Sequence, residues 1–120
     1  MNKTTGFASP AQGYEVEAID LNRLLILNPP ATYFMRLDSS DMAELGLPRG
    51  TLLIVDRSKD PINNSIVLIR HDGQFLCRLH TKRGNKTIFT NGNEEIYPIP
   101  DDTEVIGVVT ASIKRYNNEP

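Results

Sequence analysis

One cysteine, two histidines, no excess of positive charge and no apolar run longer than five residues set the first limits on this chain. Cys77 alone cannot close an internal disulfide, which suits a reducing cytoplasm. Neither His71 nor His80 has a cysteine at ligand spacing, so no zinc site is predicted. No glycine-rich loop opens a helix, so there is no sequence support for a nucleotide or any other cofactor. Apolar runs as short as Leu52-Leu53-Ile54-Val55 fall far below a membrane span or a signal-peptide core. Thirteen Lys and Arg stand against fifteen Asp and Glu, giving a net charge of −2 and a pI of about 5.6. A domain that grips DNA through its phosphates normally shows a basic excess, so no direct nucleic-acid contact is predicted.

What is present fits one domain. With 120 residues, 39% hydrophobic and 23% charged, the chain can bury somewhat under ~70% of its unfolded surface, enough for a core without staples. Residues 1–18 carry Gly6, Pro10 and Gly13 without sustained periodicity and read as an extended arm, leaving 19–120 as the folded domain. Asp20 caps a short predicted helix through Leu27, with Leu21, Leu24 and Leu25 on one face and Pro29-Pro30 as its stop. Most of the rest reads as strand. Thr32 to Leu37 is β-branched and aromatic, and Asp38 to Leu45 has room for one or two helical turns before Gly46. Thr51 to Asp56 has the continuous apolar character of a strand buried on both faces. Ser65 to Arg70 and Gln74 to Leu79 flank Asp72-Gly73, a strong hairpin signal. A second polar turn is predicted over Thr81 to Lys86, then Thr87 to Thr90, and a last long strand from Thr103 to Tyr116, bent at Gly107. The fold class is mainly β: a compact antiparallel domain with one or two short helices.

Residue chemistry by itself stops at that description. Asp101-Asp102 lies in a proline-rich turn and serves turn geometry better than acid–base work. Arg36, Arg78, Lys82, Arg83 and Lys86 form a basic scatter that reads as solvated sheet face and hairpin tip. Cys77 alternates with Phe75 and Leu79, the pattern of a core residue rather than a nucleophile.

Longer strings carry more. Gly6-Phe7-Ala8-Ser9-Pro10-Ala11, Ile19 through Ile26, Ala31-Thr32-Tyr33-Phe34, Leu52 through Asp56, Asp72-Gly73-Gln74-Phe75 and Gly107-Val108-Val109 together resemble the LexA/UmuD family of self-cleaving peptidases, and its UmuD branch in particular. The resemblance covers nearly the whole chain in order. It implies the family's compact C-terminal β fold, a cytoplasmic homodimer, and service as an accessory subunit to an error-prone UmuC-type Y-family translesion polymerase in the SOS response, with the RecA filament and a UmuD heterodimer as further possible partners.

The same resemblance assigns the family's nucleophile and base to two positions that here hold other residues. The family's serine precedes a methionine at the start of a short helix; here that methionine is Met42 and the preceding residue is Asp41. The family's general-base lysine lies on the strand after the hairpin, at the position of Arg78. A Ser–Lys dyad needs a hydroxyl that attacks and an amine whose pKa can fall. Guanidinium stays protonated, and a carboxylate is a poor amide-cleaving group. Asp41 and Arg78 are therefore expected to form an ion pair with two parallel hydrogen bonds, and the chain to be no enzyme. Asp41 as an exposed helix-start carboxylate is the plainer alternative. Ser39 and Ser40 read as turn and cap residues, because the nearest lysine after Arg78, Lys82, lies roughly 13 Å along a strand at ~3.3 Å per residue. The chain also starts five residues before Gly6, at whose family counterpart cleavage occurs, matching the shortened form. Rival readings are a decoy that forms mixed dimers with a resident UmuD, and an active serine peptidase.

Overall fold

The computed structural model describes residues 18–117, so all of the predicted arm except Ala18 lies outside the described residues. The chain forms a short helix α1 (Leu21–Leu25), 3-10 turns at Pro29–Ala31 and Ala43–Leu45, and seven strands: β1 (Thr32–Arg36), β2 (Leu52–Asp56), β3 (Ile66–His71), β4 (Gln74–Arg83), β5 (Lys86–Thr90), β6 (Glu95–Ile96) and β7 (Thr103–Ile113). All are in one antiparallel sheet, ordered β1-β2-β7-β3-β4-β5-β6. The mainly β expectation is met.

Local chemistry sets most of the boundaries. Asp20 Oδ1 accepts from the backbone N–H groups of Asn22 (3.0 Å) and Arg23 (3.4 Å), the capping role read from sequence. The helix closes at Leu25 rather than Leu27, since Asn28 precedes a proline and is held out of helical conformation. None of its residues is buried, so the leucine face found in the sequence has no partner among the described residues. Asp72 (φ 51°) and Gly73 (φ 77°) both occupy the left-handed region, the two-residue loop that matches strand twist.

Two strand expectations change. The turn predicted over Thr81 to Lys86 shrinks to Gly84-Asn85, because Thr81, Lys82 and Arg83 stay paired with Ile88, Thr87 and Lys86. Polar composition there marks solvent exposure of a long ribbon, not a break in pairing. The last strand ends at Ile113 rather than Tyr116, and lies third of seven, between β2 and β3, rather than near the sheet edge as the family resemblance implies. Its first half pairs with β3 and its second half with β2, overlapping at Val108. Among the described residues, Val109 to Ile113 have a strand partner on the β2 side alone. The predicted bend at Gly107 coincides with a register shift: Leu68 faces Gly107 and Ile69 faces Val105, leaving one residue over.

The sheet is packed on both faces, as strand alternation in β3 demonstrates. Leu68 joins Met42, Leu47, Leu53, Val55 and Cys77 in one cluster, while Val67 and Ile69 join Phe89 and Val108 in another. The continuous burial of Leu53 through Asp56 confirms the two-faced strand predicted for that segment.

Candidate active-site cleft

After β1 the chain leaves the sheet through Leu37 and Asp38, turns at Ser39 and Ser40, and buries Met42 to 1% exposure. Met42 acts as the anchor of this turn. Its carbonyl accepts from the N–H groups of Leu45 (3.0 Å) and Leu47 (3.1 Å), and its side chain fills the first core cluster. The helical turns expected over Asp38 to Leu45 reduce to the 3-10 turn, ended by Gly46 in the left-handed conformation at φ 86°. Anchoring Met42 inward turns its neighbour Asp41 toward a cleft of about 330 Å³, lined also by Met35, Phe75, Leu76 and Arg78.

Arg78 comes to this cleft from β4, where it stands opposite Val67 on β3. Its side chain is only 5% exposed, and its Nη2 lies 3.7 Å from Asp41 Oδ2. The two side chains thus meet, as the dyad comparison required. The expected geometry does not follow: the contact is a single long ion pair without parallel hydrogen bonds. Nη1 instead donates to the carbonyl of Cys77 at 2.8 Å, and Nε is buried without a hydrogen-bond partner among the described residues. Asp41 remains 51% exposed, so the plainer reading of it as a surface carboxylate is half right. Screening by water keeps such a half-open pair to about 0–1 kcal/mol.

The other candidates have structural uses. Ser39 Oγ accepts from the Asp41 N–H at 3.4 Å, a turn contact. Lys82 lies beyond His80 on the same strand, paired with Thr87, and Ser40 contributes its carbonyl to the turn at Ala43. His71 Nδ1 sits 2.7 Å from Thr103 Oγ1, tying β3 to β7. His80 Nδ1 donates to the Ile62 carbonyl at 3.1 Å, and its ring meets Phe89 edge-on. Among the described residues no three His, Cys, Asp or Glu side chains converge on one point. Asp102 closes the turn into β7, its N–H donating to Ile99. Arg83 pairs with Glu95 across the sheet.

Cys77 is 5% exposed, in the core, as alternation predicted. Burial pushes its thiol up to about 11, outweighing the opposing pull of the Arg78 charge beside it. At pH 8 only about one molecule in a thousand then carries the thiolate, the form that reacts. Iodoacetamide should leave Cys77 of the native protein unmodified at pH 8 and alkylate it promptly in guanidinium, as intact-mass measurement checks. Fast native alkylation would show the thiol to be open to solvent.

A curled antiparallel sheet that presents one side chain from a methionine-anchored turn and another from the post-hairpin strand in one cleft is the arrangement of a self-cleaving serine-peptidase fold. The chain belongs to the peptidase S24-like family, whose model matches residues 2–110, and within it to the UmuD-like group. It is 38% identical to Protein SamA of Salmonella typhimurium over 113 residues, covering 92% of this chain and 79% of the relative. Protein MucA of Escherichia coli is 34% identical over 114 residues, 92% of this chain and 78% of that protein. The LexA repressor of Hahella chejuensis matches at 33% over 87 residues, 67% of this chain and 44% of its own length. Among the described residues, no helix is long and apolar enough to cross a membrane.

Proposed function

We propose that this chain is a non-catalytic, UmuD-like accessory subunit that works as a cytoplasmic homodimer and binds a UmuC-type translesion polymerase. The observation that supports the reading is the Asp41–Arg78 contact in the cleft, 3.7 Å apart at the two positions to which the sequence resemblance assigns nucleophile and base. A buried guanidinium holds its protons at any physiological pH and cannot accept one from a nucleophile. A carboxylate in the nucleophile's position lacks both the proton to lose and the strength to attack an amide. What the family comparison leaves is the binding role of the fold.

Dimerisation draws support from unpartnered apolar surface. Leu21, Leu24 and Leu27 are 61%, 58% and 72% exposed, and Phe34 on the edge strand β1 is 54% exposed. Large exposed apolar side chains such as these are the kind of surface that protein contacts cover. Among the described residues the flank of β7 opposite β2 has no strand partner beyond Val108, and its backbone groups could pair with a second chain.

Co-purification tests the reading directly. The tagged chain should retain a UmuC-type polymerase and leave a UmuD substrate uncut on prolonged incubation. Capture of UmuD in mixed dimers without any polymerase would replace the accessory role with that of a decoy, and cleavage by the unmodified chain would overturn the non-catalytic assignment.

A further inference from the structure

The sheet register brings one end of three strands together. Arg36, the last residue of β1, stands opposite Leu52 at the start of β2, and Leu52 stands opposite Ile113 at the end of β7. The turn entering β2 and the segment leaving β7 therefore meet at one place. They enclose a pocket of about 410 Å³ whose lining includes Arg36, Arg49, Lys114 and Arg115 and no carboxylate. These are not the basic residues that the sequence suggested as a group: of that scatter only Arg36 is present.

Several observations point to a ligand for these cations. None of the four takes part in an ion pair among the described residues, whereas Arg70, Arg78 and Arg83 each do. Four unneutralised cations around one concavity repel one another, a cost that an anion there would relieve. Arg36 is fixed in place by donating from Nη1 to the carbonyl of Gly50 at 2.9 Å. Tyr116 stands two residues past Lys114, 89% exposed, with the Lys114 ammonium 5.0 Å from its ring centroid. An aromatic ring held out from the surface beside a basic groove is the pairing by which proteins hold single-stranded nucleic acid, with cations on the phosphates and a base stacked on the ring. The net charge of −2 does not cancel this locally, because charges more than about 10 Å away are screened at ~0.1 M salt.

We infer that the groove formed by Arg36, Arg49, Lys114 and Arg115, with Tyr116 at its mouth, binds single-stranded DNA. Phosphates lie along the four cations and one base stacks on the Tyr116 ring. This goes beyond the accessory role and does not depend on it: the groove is built by the end of β1, the start of β2 and the end of β7, and shares Arg36 alone with the lining of the Asp41–Arg78 cleft.

Fluorescence anisotropy with a labelled oligothymidylate of about 20 nucleotides tests the inference. The full chain should bind it with log affinity falling against log salt at a slope of about −2 to −3, as three or four neutralised phosphates give on a single strand. The double charge reversal Arg49→Glu with Arg115→Glu should weaken binding by more than tenfold. Tyr116→Ala should weaken it about fivefold or more, the loss of one stacked base. Reversal of two cations on the β4–β5 hairpin, which β3 separates from β7 in the sheet, Lys82→Glu with Lys86→Glu, should change affinity less than twofold. All of these side chains are surface residues, and an unchanged circular-dichroism melt establishes that the variants are folded. The proposal fails if the unmodified chain does not bind, or if the β4–β5 hairpin variant loses as much as the groove variant. It also fails if Tyr116→Ala binds the oligonucleotide as tightly as the parent, which would make the groove a site for simple polyanions such as heparin.

Discussion

The double variant Asp41→Ser with Arg78→Lys should cut a UmuD substrate supplied in trans, at a rate that the unmodified chain does not approach. The turn before Met42 and the strand after the hairpin already bring positions 41 and 78 within ion-pair distance, 3.7 Å between Oδ2 and Nη2. Serine at 41 supplies an attacking hydroxyl. Lysine at 78 enters a site where Arg78 is 5% exposed, and burial lowers an ammonium's pKa toward the range of a working base. A positioned general base contributes a factor of about 10² to 10⁴, which sets the expected gain of the double variant over Asp41→Ser alone. The single variant tests a second point. It removes the carboxylate that pairs with Arg78, but because Asp41 is 51% exposed the loss should stay near 1 kcal/mol rather than the several expected for a fully buried pair. Gel analysis of substrate cleavage, with melting curves of each variant, reads both effects. A folded double variant that cuts no substrate would overturn the reading of positions 41 and 78 as the replaced dyad.

Replacing Gly107 by alanine should lower stability by about 1–3 kcal/mol, and valine by more. A Cβ built on Gly107 would stand 2.7 Å from Val55 Cγ1 and 3.0 Å from the Asp56 carbonyl oxygen. Neither neighbour can retreat easily: Val55 is fully buried in the core cluster, and the carbonyl belongs to strand backbone. The position also carries the register shift where β7 changes its partner from β3 to β2, so strain there is felt by both halves of the sheet. For a chain of this size each kcal/mol lowers the melting temperature by roughly 3–6 °C. Thermal unfolding followed by circular dichroism measures it. A melting temperature unchanged in Gly107→Ala would mean that β2 and β7 do not approach each other this closely. By contrast Gly73, with φ 77° but open space around it, is constrained by backbone conformation alone.

Local and one-dimensional features were legible in the chain itself. The Asp20 cap, the Asp72-Gly73 hairpin, the two-faced burial of Leu53 to Val55 and the core placement of Cys77 each follow from side-chain chemistry and period-two alternation. These operate between neighbours in sequence, which is why they survive folding unchanged. The resemblance also pointed to positions 41 and 78 as a pair, and their side chains do approach each other although they lie 37 positions apart.

Other features depended on how distant segments pack. The family resemblance implied a place for β7 near the sheet edge, but its two halves are taken up by different neighbours, and strand order is decided by long-range pairing that no local pattern encodes. Sequence predicted a bidentate Asp41–Arg78 pair, whereas the tertiary structure turns Nη1 toward the Cys77 carbonyl and leaves Asp41 half in solvent. It grouped cations by nearness along the ribbon. Register instead assembled Arg36, Arg49, Lys114 and Arg115 from three segments at one end of the sheet, because β1, β2 and β7 end in line there. Composition and alternation thus determined that the chain would be a mainly antiparallel β domain, and the longer strings it shares with the UmuD branch pointed to its family. Only the folded sheet decided which charges face each other and which are left to meet a ligand, since electrostatic energy depends on distance in space and not on distance along the chain.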